Sequence, residues 1–329
     1  MVRFGTFSIV AHDRDRGEWG VAVQSKFIAV GAVVPWAEAK VGAIATQALA
    51  NVRYGPDGLA LLKKGRSADD VVRTLTHADP KRDHRQLGIV DASGRAAAYT
   101  GKECLNWAGH EVGNGFACQG NILFAPEVVA GMARAYETTP GDLPERLLAA
   151  LAAAQREGGD RRGMQSAALL IVRSEGGYDA GSDRWVDIRV DDHPSPIEEL
   201  KRVFKLYDLT LLAREDPSTL VRLEGEVAGI VQQQLSVLGF YTGRLTARWD
   251  AVSASAFEKF LSVNNFENKA RTDGTVWPSI LNYLKERTAE EMARRSRTAP
   301  TVTGALERGP GSRPAPPAPR PRGGDEPSK

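Results

Sequence analysis

The chain has 329 residues, enough for two domains with tails, and 42% of them are hydrophobic, enough for real cores. Its 43 basic and 41 acidic residues leave a net charge of +2, a balance that points to neither a nucleic-acid nor a membrane surface. No stretch reaches the roughly 18 uninterrupted apolar residues of a spanning helix, and MVRFGTFSIVAHD meets charge too soon for a secretory signal core, so a cytoplasmic location is expected.

TFSIVAHD, residues 6–13, alternates as a strand that buries Phe7, Ile9 and Ala11 and turns Thr6 and Ser8 outward. EWGVAVQSKF follows the charged turn RDRG, and AVGAVVPWAEA and KVGAIATQAL continue the pattern, which predicts a tightly packed antiparallel sheet. The period then changes: GPDGLALLKKG and SADDVVRTLTHAD predict two helices, with Ser67 and Asp69 as candidate caps. HRQLGIVDASGRAAAYTG predicts two strands joined at DASG. After the glycine-rich passage WAGHEVGNGFACQGN come two helices, APEVVAGMARAYETT and LPERLLAALAAAQREGG, and a last strand pair, MQSAALLIVRSEGG and DRWVDIRVDD. Strands, paired helices, strands, paired helices and strands predict an α+β fold, a four-layer αββα sandwich, and not a doubly wound parallel sheet.

HPSPIEELKRVFKLYDL opens a different region, and residues 219–287 predict a compact helical unit. The segment ending GPGSRPAPPAPRPRGGDEPSK has too little apolar surface to order itself. The expected domains are therefore 1–200, a small all-α domain at 201–289 and a disordered tail at 290–329. Cys104 and Cys118 lack the partners of a CxxC or zinc pattern, so reduced structural thiols are expected, with a disulfide between them left open. No cofactor or metal is expected.

Gly5 before Thr6 is the most informative dipeptide. A self-cleaving precursor needs an unhindered residue before its nucleophile, and opening Gly5–Thr6 would give Thr6 a hydroxyl and a free α-amine. That amine, with a pKa of about 7.7–8.0, can take the hydroxyl proton, so one residue supplies nucleophile and base. This start and the strand order resemble the N-terminal-nucleophile hydrolases, among them the proteasomal subunits. Gln24, Ser25 and Lys26 stand where the proteasomal pattern has a triplet beginning with aspartate, and Lys40 is the candidate for its later lysine.

A longer resemblance is carried by TFSIVAHDRDRGEWGVAVQSKFIAVGAVVPWAEAKVGAIATQALANVRYGPDGLALL, LGIVDASGRAAAYTG, WAGHEVGNGFACQGNIL, GGDRRGMQSAALLIV and VDIRVDDHPSPIEEL. These motifs, in order over about residues 6–200, resemble the bacterial family called domain of unknown function 1028, which is similar to N-terminal-nucleophile hydrolases in fold. Many members begin Met-Thr-Phe-Ser, whereas Val2, Arg3, Phe4 and Gly5 intervene here. A propeptide removed at Gly5–Thr6, an upstream start codon and a protein that does not use Thr6 all account for that difference.

Given this likeness, the Lys26 ammonium is expected beside Thr6, against the alternative that it snorkels to solvent. Ser25 accompanies it on the substrate side. Gln47 and Asn51, at the end of IATQALAN, are read as amides for a substrate or, for Asn51, a helix cap. Gln119 and Asn121 in QGN are candidate oxyanion donors, the alternative being a cap and tight turn. His110 is a candidate substrate contact or a structural hydrogen-bonder. In GGDRRGMQS, Asp160 can pair with one of Arg161 and Arg162 while the other binds a substrate carboxylate. In DDH, residues 191–193, adjacent side chains alternate faces, which argues against a single-ion site.

VQQQLSVLGFYTGRLTARWDAVSASAFEKFLSVNNFENK resembles the small helical peptidoglycan-binding domain, with Asp250 at the aspartate such units place beside LGFYTG. Phe240, Tyr241 and Trp249 are its aromatic candidates for a sugar or peptide surface, with core packing expected for Phe240. The expected function is an amidohydrolase acting through Thr6 on a small amide or peptide substrate, with Lys26, Gln119 and Asn121 assisting. The alternative is a non-catalytic protein that binds a ligand or peptidoglycan fragments, and a third reading uses Cys104 or Cys118 as nucleophile. Assembly as a homo-oligomer is open.

Overall fold

The structure, a computed structural model, describes residues 5–212 and 214–298. It is a mixed helix and sheet fold in which the six-stranded and four-stranded sheets are antiparallel. Strands β1 (Thr6–Asp13), β2 (Glu18–Ser25), β3 (Pro35–Glu38) and β4 (Gly42–Ala48) precede helices α1 (Tyr54–Lys63) and α2 (Ala68–Ala78). Strands β5 (Arg85–Asp91), β6 (Ala96–Thr100), β7 (Gly109–Gly113) and β8 (Phe116–Asn121) lead into α3 (Glu127–Thr138) and α4 (Leu143–Arg156). Strands β9 (Ser166–Val172) and β10 (Arg184–Val190) and helix α5 (Pro196–Leu211) follow. The first sheet has the order β10-β9-β2-β1-β8-β7 and the second β3-β4-β5-β6.

Each packing face follows from its side chains. Phe7, Ile9 and Ala11 of β1 share a core with Met132 of α3 and Leu147 and Leu151 of α4. Val10, on the other face of β1, packs with Val21 and Val23 of β2 and with Ala43, Ala45 and Val90 of the second sheet. Ile44, Leu87 and Ile89 turn the opposite way, onto Tyr54 of α1 and Val71 and Leu75 of α2. Both faces of β1 are thus covered, and Thr6 and Ser8, expected to point outward, are 3% and 0% exposed.

Local differences have local causes. The glycine-rich passage is a hairpin, β7–β8, in which Gly113 pairs with Phe116 across the two-residue turn Asn114–Gly115, a strong hairpin dipeptide. AVGAVVPWAEA is not one strand, because Ala29 takes a left-handed φ of 50° and Val30–Ala32 forms a 3₁₀ turn before β3. Ser67, and not Asp69, caps α2 by accepting from the Asp70 N–H.

By its contacts the chain divides into one compact unit that runs to Val221 and includes Leu261–Ser279, and another comprising Arg222–Phe260 and the residues from Ile280. The boundary expected after residue 200 falls inside α5, whose Ile197, Leu200 and Phe204 belong to the core of the first unit. Beyond α5 come β11 (Val221–Arg222), α6 (Gly225–Val237), α7 (Ala251–Val263), β12 (Thr275–Val276) and α8 (Pro278–Thr298). Residues 290–298, expected in the tail, are the last turns of α8; residues 299–329 lie outside the described residues, as do residues 1–4.

Candidate active site

Antiparallel register brings the site together at the start of β1. Thr6 stands opposite Ser25 of β2 on one side and Asn121 of β8 on the other. Thr6 Oγ1 lies 3.0 Å from Ser25 Oγ, and Ser25 Oγ donates to the Gly5 carbonyl oxygen at 2.5 Å. A hydroxyl has one hydrogen to give. Ser25 spends it on Gly5, so Thr6 is the donor to Ser25.

Arg162 Nη2 donates to the same Gly5 oxygen at 2.7 Å. The guanidinium is oriented by Asp160, a fully buried carboxylate that receives Arg162 Nε at 3.0 Å and Nη2 at 2.7 Å. Backbone N–H groups of Lys26 and Arg162 complete its coordination at 3.1 and 3.0 Å. A Cβ on residue 5 would meet the Asp160 carboxylate at 2.8–2.9 Å, so the close approach requires glycine.

Behind Thr6, a buried amide network fills the space between the two sheets. Ser8 Oγ donates to Gln47 Oε1 at 2.6 Å and accepts from Gln119 Nε2 at 2.6 Å. Gln47 Nε2 reaches Gln86 Oε1 at 2.8 Å, and Asn121 Nδ2 donates to the same oxygen at 2.8 Å. Gln119 lies over Gly88, where a Cβ would stand 2.0 Å from its Oε1, and that oxygen has no hydrogen-bond partner among the described residues. Such a network is stable when its members bond one another, because an unpaired buried polar group costs about 1–3 kcal/mol. The amide donors of Gln119 and Asn121, expected to face an oxyanion, are directed at Ser8 and Gln86.

In front of Thr6 is a cavity of about 190 Å³, lined by Phe27, Val30, Val34, Leu49 and Val52, with Gln47 as the other polar residue. One wall is held by Ser166, which donates to the Phe27 carbonyl and accepts from the Val30 N–H. The other is held from α2 and β5: Arg85 donates to the Leu49 carbonyl and to Asp79 Oδ2, and Asn51 Nδ2 and Tyr54 Oη donate to the same carboxylate oxygen at 3.2 and 3.0 Å. Burial pushes the Asp79 carboxyl up, but the hydrogen bonds from Arg85, the Lys81 N–H, Tyr54 and Asn51 outweigh it and hold the pKa down to about 2. Asn51 is therefore part of a loop staple, its Oδ1 accepting from the Arg53 N–H.

Other expected residues stand elsewhere. Lys26 is exposed, and its ammonium donates to the Met164 carbonyl at 3.2 Å instead of standing at Thr6. Lys40 is exposed in the turn between β3 and β4, and Arg161 is exposed as well. His110 Nδ1 bonds Thr100 Oγ1 at 2.9 Å, and burial lowers its pKa. Both thiols are free; burial pushes Cys104 up to about 11 and Cys118 well above the usual thiol value, which suits neither to nucleophilic attack. No cluster of three or more His, Cys, Asp or Glu is arranged to hold an ion among the described residues.

A model of the "Family of unknown function (DUF1028)" matches residues 6–200. The chain belongs to the DUF1028 family. The crystal structure of protein SPO2555 from Silicibacter pomeroyi, titled with the same DUF1028 model, is similar at a TM-score of 0.58 and 30% identity, over 69% of this chain and 89% of that one. A second model, "Putative peptidoglycan binding domain", matches residues 210–284. No curated protein matches.

Apart from Gly5, the DUF1028 region holds every residue named in the Thr6 site. Within the second unit, a groove of about 400 Å³ is lined by Phe240, Tyr241, Thr242, Val252, Ser255 and Lys259. Phe240 packs edge-on against Phe260, and Trp249 against Phe257, while Tyr241 is buried and its hydroxyl donates to the Arg244 carbonyl at 2.8 Å. Asp250 accepts from the Ser253 N–H and hydroxyl, both at 2.8 Å, at the start of α7. Sequence reasoning passed over Gln86, Asp79 and Thr100 and turned Ser8 outward. The available signal was a polar residue at an otherwise apolar strand position, as in RQLGIVD.

Proposed function

We propose that the chain is an amidohydrolase whose nucleophile is Thr6, set free when the Gly5–Thr6 bond opens. The observation that carries this reading is the doubly held Gly5 carbonyl, with Thr6 Oγ1 hydrogen-bonded to the very hydroxyl that holds it. The packing of α1 and α2 on one sheet and of α3 and α4 on the other supports an αββα sandwich of the N-terminal-nucleophile type.

In the proposed scission Thr6 Oγ1 attacks the Gly5 carbonyl carbon, its proton passes to Ser25 Oγ, and the Ser25 proton passes to the Gly5 oxygen. Arg162 stabilises the developing negative charge. The carbon–nitrogen bond then breaks as the proton on the Gly5 oxygen passes back through Ser25 to the Thr6 nitrogen, the carbonyl re-forms, and an ester joins Gly5 to Thr6 Oγ1. One water hydrolyses the ester, leaving a carboxylate on Gly5 and a free amine on Thr6.

The mature site repeats the chemistry on an external amide. The amine takes the Thr6 hydroxyl proton, an acyl ester forms as the substrate amine leaves with a proton, and water releases the acid. Ser25 Oγ and Arg162 Nη2, having lost the Gly5 acceptor, are the proposed oxyanion donors; Gln119 and Asn121 fix the strand that carries them. The C-terminal unit is proposed to hold peptidoglycan fragments in the Phe240–Lys259 groove, which makes amides related to the cell wall the preferred substrates.

Intact mass and terminal sequencing of protein expressed with its native upstream DNA test the reading. A chain beginning at Thr6, an uncut Thr6→Ala variant and a slowly cut Ser25→Ala variant are expected. A wild-type chain that keeps its residues before Thr6 overturns it in favour of a ligand-binding protein.

A further inference from the structure

We infer that the cavity in front of Thr6 is an acyl-group pocket selecting small, uncharged aliphatic acyl chains; the assignment of the bound group as an acyl chain rests on Thr6 being the nucleophile. Thr6 is one of the residues that line the cavity, so an acyl group carried on its hydroxyl has this cavity beside it to enter. The remaining wall is aliphatic and aromatic apart from Gln47, and Gln47 is not a free handle. Its Nε2 is engaged by Gln86 Oε1 and the Thr6 and Gln119 carbonyls, and its Oε1 by Ser8. An ionised acyl chain would lose its water and find no counter-charge among the lining residues.

Size follows from volume. A dry cavity of roughly 150 Å³ accepts a benzene-sized guest, whereas drug-sized ligands need about 300 Å³ or more. At about 190 Å³ this pocket fits a branched chain of the leucine class and excludes a fused bicyclic group. Its walls are also tied to each other, since the Thr46 N–H donates to the Val34 carbonyl at 3.1 Å and Thr46 Oγ1 to the Asn51 carbonyl at 3.1 Å. The pocket is preformed and does not widen cheaply.

The test measures dissociation constants of the full chain for four amides, 4-methylpentanamide, succinamate, 6-aminohexanamide and 3-(2-naphthyl)propanamide, by ligand-observed NMR. The first is expected to bind at least tenfold tighter than the other three. Ala50→Phe, which fills the pocket from a half-buried wall position, is expected to weaken it at least tenfold, and the smaller Ala50→Val only a few-fold. Equal or tighter binding of a charged or bicyclic amide, no binding of any, or an Ala50→Phe variant that binds like wild type overturns the pocket. Selective binding by a chain that is never cut and hydrolyses none of the amides keeps the pocket and overturns the nucleophile, while Thr6-dependent hydrolysis of succinamate or 6-aminohexanamide does the reverse.

Discussion

The Ser25 hydroxyl points at the Gly5 carbonyl oxygen from 2.5 Å, across the junction between β1 and the residues before it. In the proposed mechanism this contact makes the serine at the end of β2 a proton carrier. Ser25→Ala removes the relay while Arg162 still holds the carbonyl. Scission at Gly5–Thr6 should slow by about 100-fold, the scale of one lost oxyanion donor, as read from mass spectra over time. Unchanged processing would remove Ser25 from the mechanism.

Gly5→Ala tests the cradle from the other side. The new methyl would stand 2.8 Å from Asp160 Oδ1, and overpacking of this kind costs about 1–3 kcal/mol. The variant should melt lower than wild type and remain uncut. A chain started directly at Thr6 lacks the clash and should recover both stability and any hydrolytic activity.

Glu18 gives the fold a dependence on pH. Its side chain is fully buried, Oε1 is 3.3 Å from Arg173, and Oε2 has no hydrogen-bond partner among the described residues. Burial pushes its pKa up to about 7, against the pull of Arg173. The folded state therefore holds this proton more tightly than the unfolded chain. The stability this contributes is complete below the ordinary glutamate value and is lost as pH rises through about 7. Glu18→Gln stays neutral, so wild type should lose on the order of 1–3 kcal/mol relative to the variant between pH 5 and 8. Parallel urea-midpoint curves would refute it.

Asp79 works with the opposite sign. Held down to about 2, its carboxylate contributes stability above the ordinary aspartate value that fades as pH falls toward 2. Asp79→Asn leaves Arg85 buried without its ion and should cost about 3 kcal/mol at pH 7. It should also weaken ligand binding at the cavity, because the Leu49–Val52 wall hangs from this carboxylate. Denaturation and amide titration of the same protein measure both.

The periodicities were legible where one physical effect dominates. Phe7, Ile9 and Ala11 alternate because one face of β1 meets the helices, and the chain order of strands and helices followed from such runs. Alternation could not reveal that the opposite face is also covered, because Ser8, Gln47, Gln86 and Gln119 are polar residues that look like a solvent face and are satisfied by one another. Thr6 was legible from its glycine, and an arginine beside Asp160 was legible without a choice between Arg161 and Arg162. The meeting of Thr6 and Arg162 at one carbonyl was not, since it depends on tertiary closure. Lys26 failed for a similar reason: its strand ends beside Asp160, and the backbone N–H, not the ammonium, makes that contact.

The guanidinium that grips Gly5 comes from 157 residues further along the chain. A ribosome must therefore synthesise nearly half the protein, and β1, β2 and the loop before β9 must assemble, before the proposed cut can begin. Incomplete or misfolded chains would keep their blocked threonine. Appearance of a new amino terminus would thus mark finished folding, and the newborn polypeptide would carry no active hydrolase among its unfolded neighbours.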